Sequence, residues 1–99
     1  MAERNIRLVL EYFGPSFAGW QIQKDQVTVQ GELTEAIRKT TGCTVNVIGA
    51  GRTDAGVHAL GQVANFRIDH QLEPERYRDA LNYHLPDDIR VKQSGEAAL

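Results

Sequence analysis

The sequence predicts an α+β domain of the ferredoxin-like, split βαβ class, with element order β-α-β-β-α-β. Two observations support this prediction. Apolar residues alternate with polar ones in four segments, the two-residue period of half-buried strands. Between the first and second of these segments, and again between the third and fourth, apolar residues recur at helical spacing. We therefore expect an antiparallel four-stranded sheet with both helices on one face, in a single domain over residues 1–99.

The first strand is predicted over residues 6–13, and Gly14-Pro15-Ser16 ends it. Its inward positions are Ile6, Leu8, Leu10 and Tyr12. The loop that follows contains the single tryptophan, Trp20. This side chain either packs beneath the loop or contacts a partner, and packing is favoured because large aromatic side chains usually act as anchors.

The first helix is predicted over residues 28–41, and Gly42 suits the left-handed position that commonly ends a helix. Acidic residues precede basic ones along it, which matches the helix dipole. Its apolar face comprises Val29, Leu33, Ala36 and Ile37. A second strand is predicted over residues 43–47. Cys43 lies at a core position in it, which favours a small buried hydrophobe over a nucleophile.

A third strand is predicted over residues 60–68, with one face formed by Leu60, Ala64, Phe66 and Ile68. The second helix is predicted to start at Pro74 and to end before Pro86. Its inward face comprises Tyr77, Ala80, Leu81 and His84. A short fourth strand covers residues 89–92, and small and polar residues finish the chain. Two helices cannot cover both faces of this sheet, so the other face is expected to be open.

Composition excludes several classes of protein. No apolar run is long enough to span a bilayer, and the first residues lack the apolar core of a signal peptide. The single cysteine cannot form an internal disulfide, so we expect a reducing cytoplasmic location. The net charge is −2, so overall charge does not indicate a nucleic-acid-binding protein.

The chemistry-bearing stretch is the glycine-rich segment 49–59, in which Arg52 and Asp54 are surrounded by small residues. Two interpretations of Asp54 are open. Its side-chain oxygens can cap the turn, as aspartates in glycine-rich loops commonly do. Alternatively, the flexible backbone presents a carboxylate and a cation together as a functional site.

The sequence does not match the residue spacing of the common glycine-rich nucleotide-binding motifs or metal-binding motifs. A dinucleotide-binding fingerprint needs a glycine where Asp54 stands and a helix where a strand follows, and the Gly-Lys-Ser/Thr ending of a phosphate-binding loop is absent. The three histidines, His58, His70 and His84, lack the short spacing of metal-ligand pairs, so no metal site is predicted. An RNA-recognition motif shares the fold class, but the third strand lacks its basic-aromatic signature.

The segment 51–59, Gly-Arg-Thr-Asp-Ala-Gly-Val-His-Ala, resembles the signature of the tRNA pseudouridine synthase A family. Three flanking segments, 12–21, 28–33 and 60–64, agree with the family in the same order. Phe13 departs from it, because the family usually has aspartate before the glycine. The resemblance covers the N-terminal, catalytic half. The family continues into a second, similar half that contributes an active-site tyrosine, a basic residue and part of the RNA-binding cleft.

This resemblance implies isomerisation of uridine to pseudouridine in the anticodon arm of tRNA, by a cytoplasmic homodimer without metal or organic cofactor. Asp54 is the implied nucleophile, and attack on the ribose or on the base ring are both open. Arg52 is implied to displace the target nucleotide and contact its backbone. The implied RNA-contact residues are Gly51, Arg52, Thr53, Gly56 and His58. The alternative is an RNA-binding or structural domain without activity of its own.

Overall fold

The computed structural model describes residues 3–51 and 54–98. The strands are β1 (Arg4–Tyr12), β2 (Ile48–Gly49), β3 (Ala59–Ile68) and β4 (Ile89–Ala97), and the helices are α1 (Val29–Thr41) and α2 (Tyr77–His84). Two short 3-10 turns, Gly14–Ser16 and Pro74–Arg76, follow β1 and precede α2. The predicted order β-α-β-β-α-β is confirmed, and with it the α+β fold class. No helix in the described ranges is long and apolar enough to cross a membrane.

The sheet has the strand order β2-β3-β1-β4, and its three strand pairs are antiparallel. β1 therefore lies in the interior, paired with β3 on one side and β4 on the other. The two helices contact each other and contribute to one core on the same side of the sheet. Its fully buried residues include Ile6, Leu8 and Leu10 from β1, Leu33 and Ile37 from α1, and Leu81 from α2.

The ends of α1 follow from its sequence. The Thr28 side chain accepts a hydrogen bond from the Gly31 N–H at 3.2 Å, which satisfies one of the free donors of the first turn. Gly42 adopts a left-handed conformation with φ of 78°, and its N–H donates to the Arg38 carbonyl at 2.8 Å. Trp20 is only 2% exposed, which confirms that it packs.

The start of the second helix differs from the prediction. Pro74 begins a 3-10 turn, in which the Arg76 N–H donates to the Glu73 carbonyl at 2.9 Å, and α-helix begins only at Tyr77. Proline lacks an N–H and fits the first turn of either helix type. The proline therefore located the first helical turn correctly, but it did not distinguish a 3-10 turn from the start of an α-helix.

The predicted second strand is wrong in position: residues 43–47 form no ladder, and only Ile48 and Gly49 pair with β3. The alternating burial was correct, because Val47 is buried and Cys43 and Val45 pack against the core. The Val47 carbonyl accepts from the Gln30 side chain at 2.8 Å. A cleft of about 340 Å³, lined by Asn46 and Arg67 among others, separates this segment from β3.

Irregular strand pairing explains two further differences between the predicted and the observed strands. The β1–β3 register shifts between Leu10 and Tyr12, and Leu60, predicted to face inward, is 83% exposed. The fourth strand runs to Ala97 and not to residue 92. A second register shift, between Val9 and Leu10, accommodates Lys92 and lets β4 continue along β1.

Candidate functional site

The segment 50–58, here called the Asp54 loop, joins β2 to β3 at one end of the sheet. Arg52 and Thr53, two of the predicted RNA-contact residues, lie outside the described residues. The other predicted site residues, Gly51, Asp54, Gly56 and His58, are all exposed. The loop thus presents every described member of the predicted set to solvent.

A tight turn holds Asp54. The Val57 N–H donates to the Asp54 main-chain carbonyl at 3.2 Å, and Gly56 has φ of 82°. A positive φ at the third residue is typical of a type II turn and requires glycine there. A Cβ added to Gly56 would meet nothing within 4 Å, so its conformation, and not lack of space, explains the glycine.

The main chain of Asp54, and not its side chain, closes this turn. Within residues 3–51 and 54–98, no hydrogen bond or ion pair joins the Asp54 carboxylate to another residue. The turn-capping interpretation therefore has no side-chain contact to support it among these residues. An exposed carboxylate with free lone pairs can act as a nucleophile or accept hydrogen bonds from a ligand.

The C-terminal limb of the loop packs on the turn that follows β1. His58 Nδ1 accepts the Gly14 N–H at 3.3 Å, and the Gly56 N–H donates to the Phe17 carbonyl at 3.3 Å. A Cβ added to Gly14 would lie 2.2 Å from the Val57 carbonyl carbon, so only glycine allows this approach. An imidazole that accepts at Nδ1 carries its proton on Nε2, so this geometry leaves His58 Nε2 as the donor.

The N-terminal limb is fixed by other contacts. The Ala50 N–H donates to the Val63 carbonyl at 2.8 Å, and Gln62 Nε2 donates to the Gly51 carbonyl. A Cβ added to Gly49 would come within 2.7 Å of the Trp20 indole, so the buried tryptophan packs directly against the start of the loop. Both limbs of the Asp54 loop are therefore held by the fold.

Gln30 ties the segment before β2, which leads into the loop, to α1. Its Nε2 donates to the Val47 carbonyl at 2.8 Å, and its Oε1 accepts from the Ile22 N–H at 2.9 Å. Sequence reasoning assigned no role to Gln30 or Gln62, and it treated Gly14 only as part of the turn that ends the first strand. All three lie in the segments that carry the family resemblance. Their place in those segments was the only feature of the sequence that could have indicated a role near the site.

A cleft of about 530 Å³ adjoins the C-terminal limb. It is lined by Glu11, Tyr12, Phe13, His58, Ala59, Leu60, Asp87, Asp88 and Arg90. Asp87 pairs with Arg90 at 2.8 Å, Glu11 pairs with Lys92 at 3.6 Å, and Asp88 accepts a hydrogen bond from the Ser16 hydroxyl. Across the described part of the chain, no three histidine, cysteine or acidic side chains are grouped so as to hold a metal ion.

Comparison with known proteins identifies the family. A family model described as tRNA pseudouridine synthase matches residues 8–99. The chain is 50% identical over 96 residues to tRNA pseudouridine synthase A of Caldicellulosiruptor saccharolyticus, covering 97% of this chain and 39% of the relative. It is 55% identical over 91 residues to the Thermoanaerobacter sp. (strain X514) protein of the same name, covering 92% of this chain and 37% of the relative.

The tRNA pseudouridine synthase A of Acetivibrio thermocellus is 52% identical over 93 residues, which are 94% of this chain and 38% of that protein. The chain thus spans about two fifths of the length of the curated relatives it matches. Since the family model covers almost the entire chain, the match includes the Asp54 loop and all of the strands and helices except the start of β1. The chain belongs to the tRNA pseudouridine synthase family.

Proposed function

We propose that the protein containing this chain isomerises uridine to pseudouridine in the anticodon arm of tRNA, with Asp54 as the nucleophile. The observation that carries this proposal is the presentation of Asp54. Its carboxylate is exposed and unpartnered among the described residues, on a turn whose two limbs are fixed by the fold. Membership of the family supports the reaction type.

The chemistry requires a nucleophile and little else from the side chains. The bond from ribose C1′ to N1 of uracil breaks, the ring turns, a bond from C1′ to C5 forms, and the C5 proton leaves while N1 gains one. Substrate and product are isomers, so no oxidant, reductant or co-substrate is consumed. Attack by Asp54 on ribose C1′ would hold the sugar while the detached ring turns, whereas attack on the ring would hold the base. Both routes require an ionised carboxylate with a free lone pair.

The RNA contacts follow from the same loop. The planar guanidinium of Arg52 suits a phosphate or the space that a displaced base leaves, and Thr53 supplies a hydroxyl. Gly51 and Gly56 let an RNA backbone approach closely, because they carry no side chain. His58 offers an Nε2–H donor at the edge of the cleft.

The charge of this segment supports only weak binding of tRNA by the segment alone. Its net charge is −2, whereas tRNA binding needs positive surface to replace condensed counterions. We propose that the rest of the protein and a second subunit of a cytoplasmic homodimer supply that surface. They would also exclude water from Asp54, which is exposed in the described chain.

The test uses tRNA carrying tritium at C5 of its uridines, because pseudouridine formation releases that hydrogen to water. We expect the full-length gene product to release tritium from the anticodon arm without added metal or cofactor. The 99-residue chain alone should bind tRNA more weakly and release little. Tight tRNA binding by the full-length protein without tritium release would contradict the enzyme hypothesis and favour an RNA-binding or structural domain.

A further inference from the structure

Phe13 is an exposed aromatic residue beside the Asp54 loop. The aromatic residues Tyr12, Phe17, Trp20, Phe66 and Tyr77 are buried, whereas Phe13 is 50% exposed. It lines the cleft of about 530 Å³ together with His58 and Leu60, and Leu60 is 83% exposed. Exposed apolar side chains grouped in a concave site often mark a binding site.

The Phe13 and His58 rings are held in place while they are exposed. Their centroids lie 5.0 Å apart, and their planes meet at 62°, an edge-to-face arrangement. His58 is fixed by the hydrogen bond from the Gly14 N–H at 3.3 Å, and the Phe13 N–H donates to the Asp88 carbonyl at 2.9 Å. A rigid aromatic surface loses little conformational entropy when a planar ligand stacks on it.

The charged groups of the cleft are already partnered. Asp87 pairs with Arg90, Glu11 pairs with Lys92, and Asp88 accepts from Ser16. Three carboxylates in one cleft also repel phosphate. The remaining ligand surface is therefore aromatic and apolar with one imidazole donor, which suits a neutral planar group better than a phosphodiester backbone.

We propose that Phe13 and His58 form a stacking subsite for an unpaired tRNA base next to the target uridine. The proposal rests on the proposed function, which brings an opened stretch of RNA to this loop. In the turn that begins at Asp54, the Cα atoms of Asp54 and Val57 lie within about 7 Å of each other. His58 directly follows Val57, so its Cα lies within about 11 Å of the Cα of Asp54. Aromatic side chains stack on any base, which makes such a contact tolerant of sequence.

Steady-state kinetics of the full-length protein test the subsite. Phe13→Ala should raise the KM for tRNA about tenfold, equivalent to about 1.4 kcal/mol, with little change in kcat. Phe13→Trp should restore the wild-type KM, because it keeps an aromatic face. Tyr83→Ala is the matched control, since Tyr83 is also exposed and packs edge-to-face on a histidine, His84, at 5.0 Å, but is outside the cleft.

Three kinetic outcomes would overturn the proposal. A KM for Phe13→Ala equal to that of Tyr83→Ala would show that the ring contributes no binding. A fall in kcat with unchanged KM would show that Phe13 only positions the loop. Failure of Phe13→Trp to restore the KM would show that aromatic stacking is not the property used.

A crosslinking measurement identifies the occupant without depending on catalysis. Phe13→p-benzoylphenylalanine, irradiated with tRNA bound to the full-length protein, should crosslink to a nucleotide of the anticodon arm, whereas Tyr83→p-benzoylphenylalanine should not. A crosslink from position 13 only to protein would overturn the subsite in favour of a protein contact. If the wild type forms no pseudouridine but position 13 crosslinks to RNA, the proposed function fails and the subsite stands.

Discussion

The covered face of the sheet and the Asp54 loop are stabilised in different ways. The core is a continuous cluster of buried apolar side chains from β1, β3, β4 and both helices. The loop is exposed, and it is held by main-chain hydrogen bonds, one side-chain amide, one imidazole and two close approaches at glycine. Core burial therefore determines whether the chain folds, whereas local fit at a few positions determines where Asp54 lies. Substitutions at the loop contacts should consequently affect activity more than stability.

Gly14→Ala should have the largest effect on the loop, because the new Cβ would lie 2.2 Å from the Val57 carbonyl carbon. Backbone must move to relieve this clash, at a cost of about 1–3 kcal/mol in the free energy of unfolding. A displacement of about 1 Å at a catalytic group can reduce a rate about a hundredfold. We therefore expect about a hundredfold slower pseudouridine formation, measured by tritium release, with the fold retained by circular dichroism.

Gly61→Ala is the matched control for that variant. A Cβ at Gly61 would meet nothing within 4 Å, and its φ is not positive. It should leave both the rate and the free energy of unfolding close to wild type. Equal rates for the two alanine variants would contradict the idea that close packing at Gly14 positions the loop.

Tyr77→Phe tests the core. The Tyr77 hydroxyl is buried and has no hydrogen-bond partner among the described residues. Removing a buried unsatisfied hydroxyl while keeping the ring should raise the free energy of unfolding by about 1 kcal/mol. Urea titration would measure this gain, and Tyr83→Phe, at an exposed position, should show none. A loss of stability in Tyr77→Phe would show that the hydroxyl makes a favourable contact.

The same residue predicts a dependence on alkaline pH. Burial raises the pKa of the Tyr77 hydroxyl, and the charge of Arg4 opposes this in part. Above the ordinary tyrosine pKa of about 10, the unfolded chain loses this proton while the folded chain keeps it. The free energy of unfolding therefore falls as the pH rises through the raised pKa. Tyr77→Phe should lose less of its free energy of unfolding over this range than the wild type. Parallel alkaline unfolding curves for both proteins would contradict this.

Glu35→Gln should have the smallest effect. The hydrogen bond from Arg38 lowers the pKa of the Glu35 carboxyl, but both side chains are about half exposed. The stability contributed by the Glu35–Arg38 ion pair is present above the ordinary carboxyl pKa. It is lost as the pH falls through the lowered pKa of Glu35. The small difference in Tm between wild type and variant should therefore disappear at acid pH or in high salt. A difference that persists in both conditions would show that more than the ion pair is lost.

Most of the fold could be predicted because its signals are local. The helical spacing of α1 and its terminal Gly42 lie within a few turns of each other, and the structure confirms them, with Thr28 as the N-cap and not the first helical residue. The second strand was misplaced because the partners of this segment are distant in sequence: Gln30 bonds the Val47 carbonyl, and only Ile48 and Gly49 pair with β3. Leu60 was misassigned because β3 advances three residues, from Ala59 to Gln62, where β1 advances two, and this extra residue in β3 changes the face on which the start of the strand lies.

The functional site shows the same difference between local signals, which the sequence reveals, and contacts between distant residues, which it does not. Residues of the loop could be identified from one contiguous segment and its resemblance to a family. The contacts that hold it could not, since Trp20 and Gly49, or Gly14 and Val57, approach each other only in the folded chain. The glycine pattern gave no indication that Gly14 and Gly49 are required by space and Gly56 by its conformation.

The most direct test of the account is pseudouridine formation by full-length Asp54→Asn. Asparagine keeps the size of the side chain and is among the best turn residues, but it has no negative charge. We expect the rate to fall at least about a thousandfold, while tRNA binding and the free energy of unfolding stay near wild type. Substantial turnover by the purified variant, shown by mass spectrometry to be free of deamidation to aspartate, would contradict the assignment of Asp54 as the nucleophile.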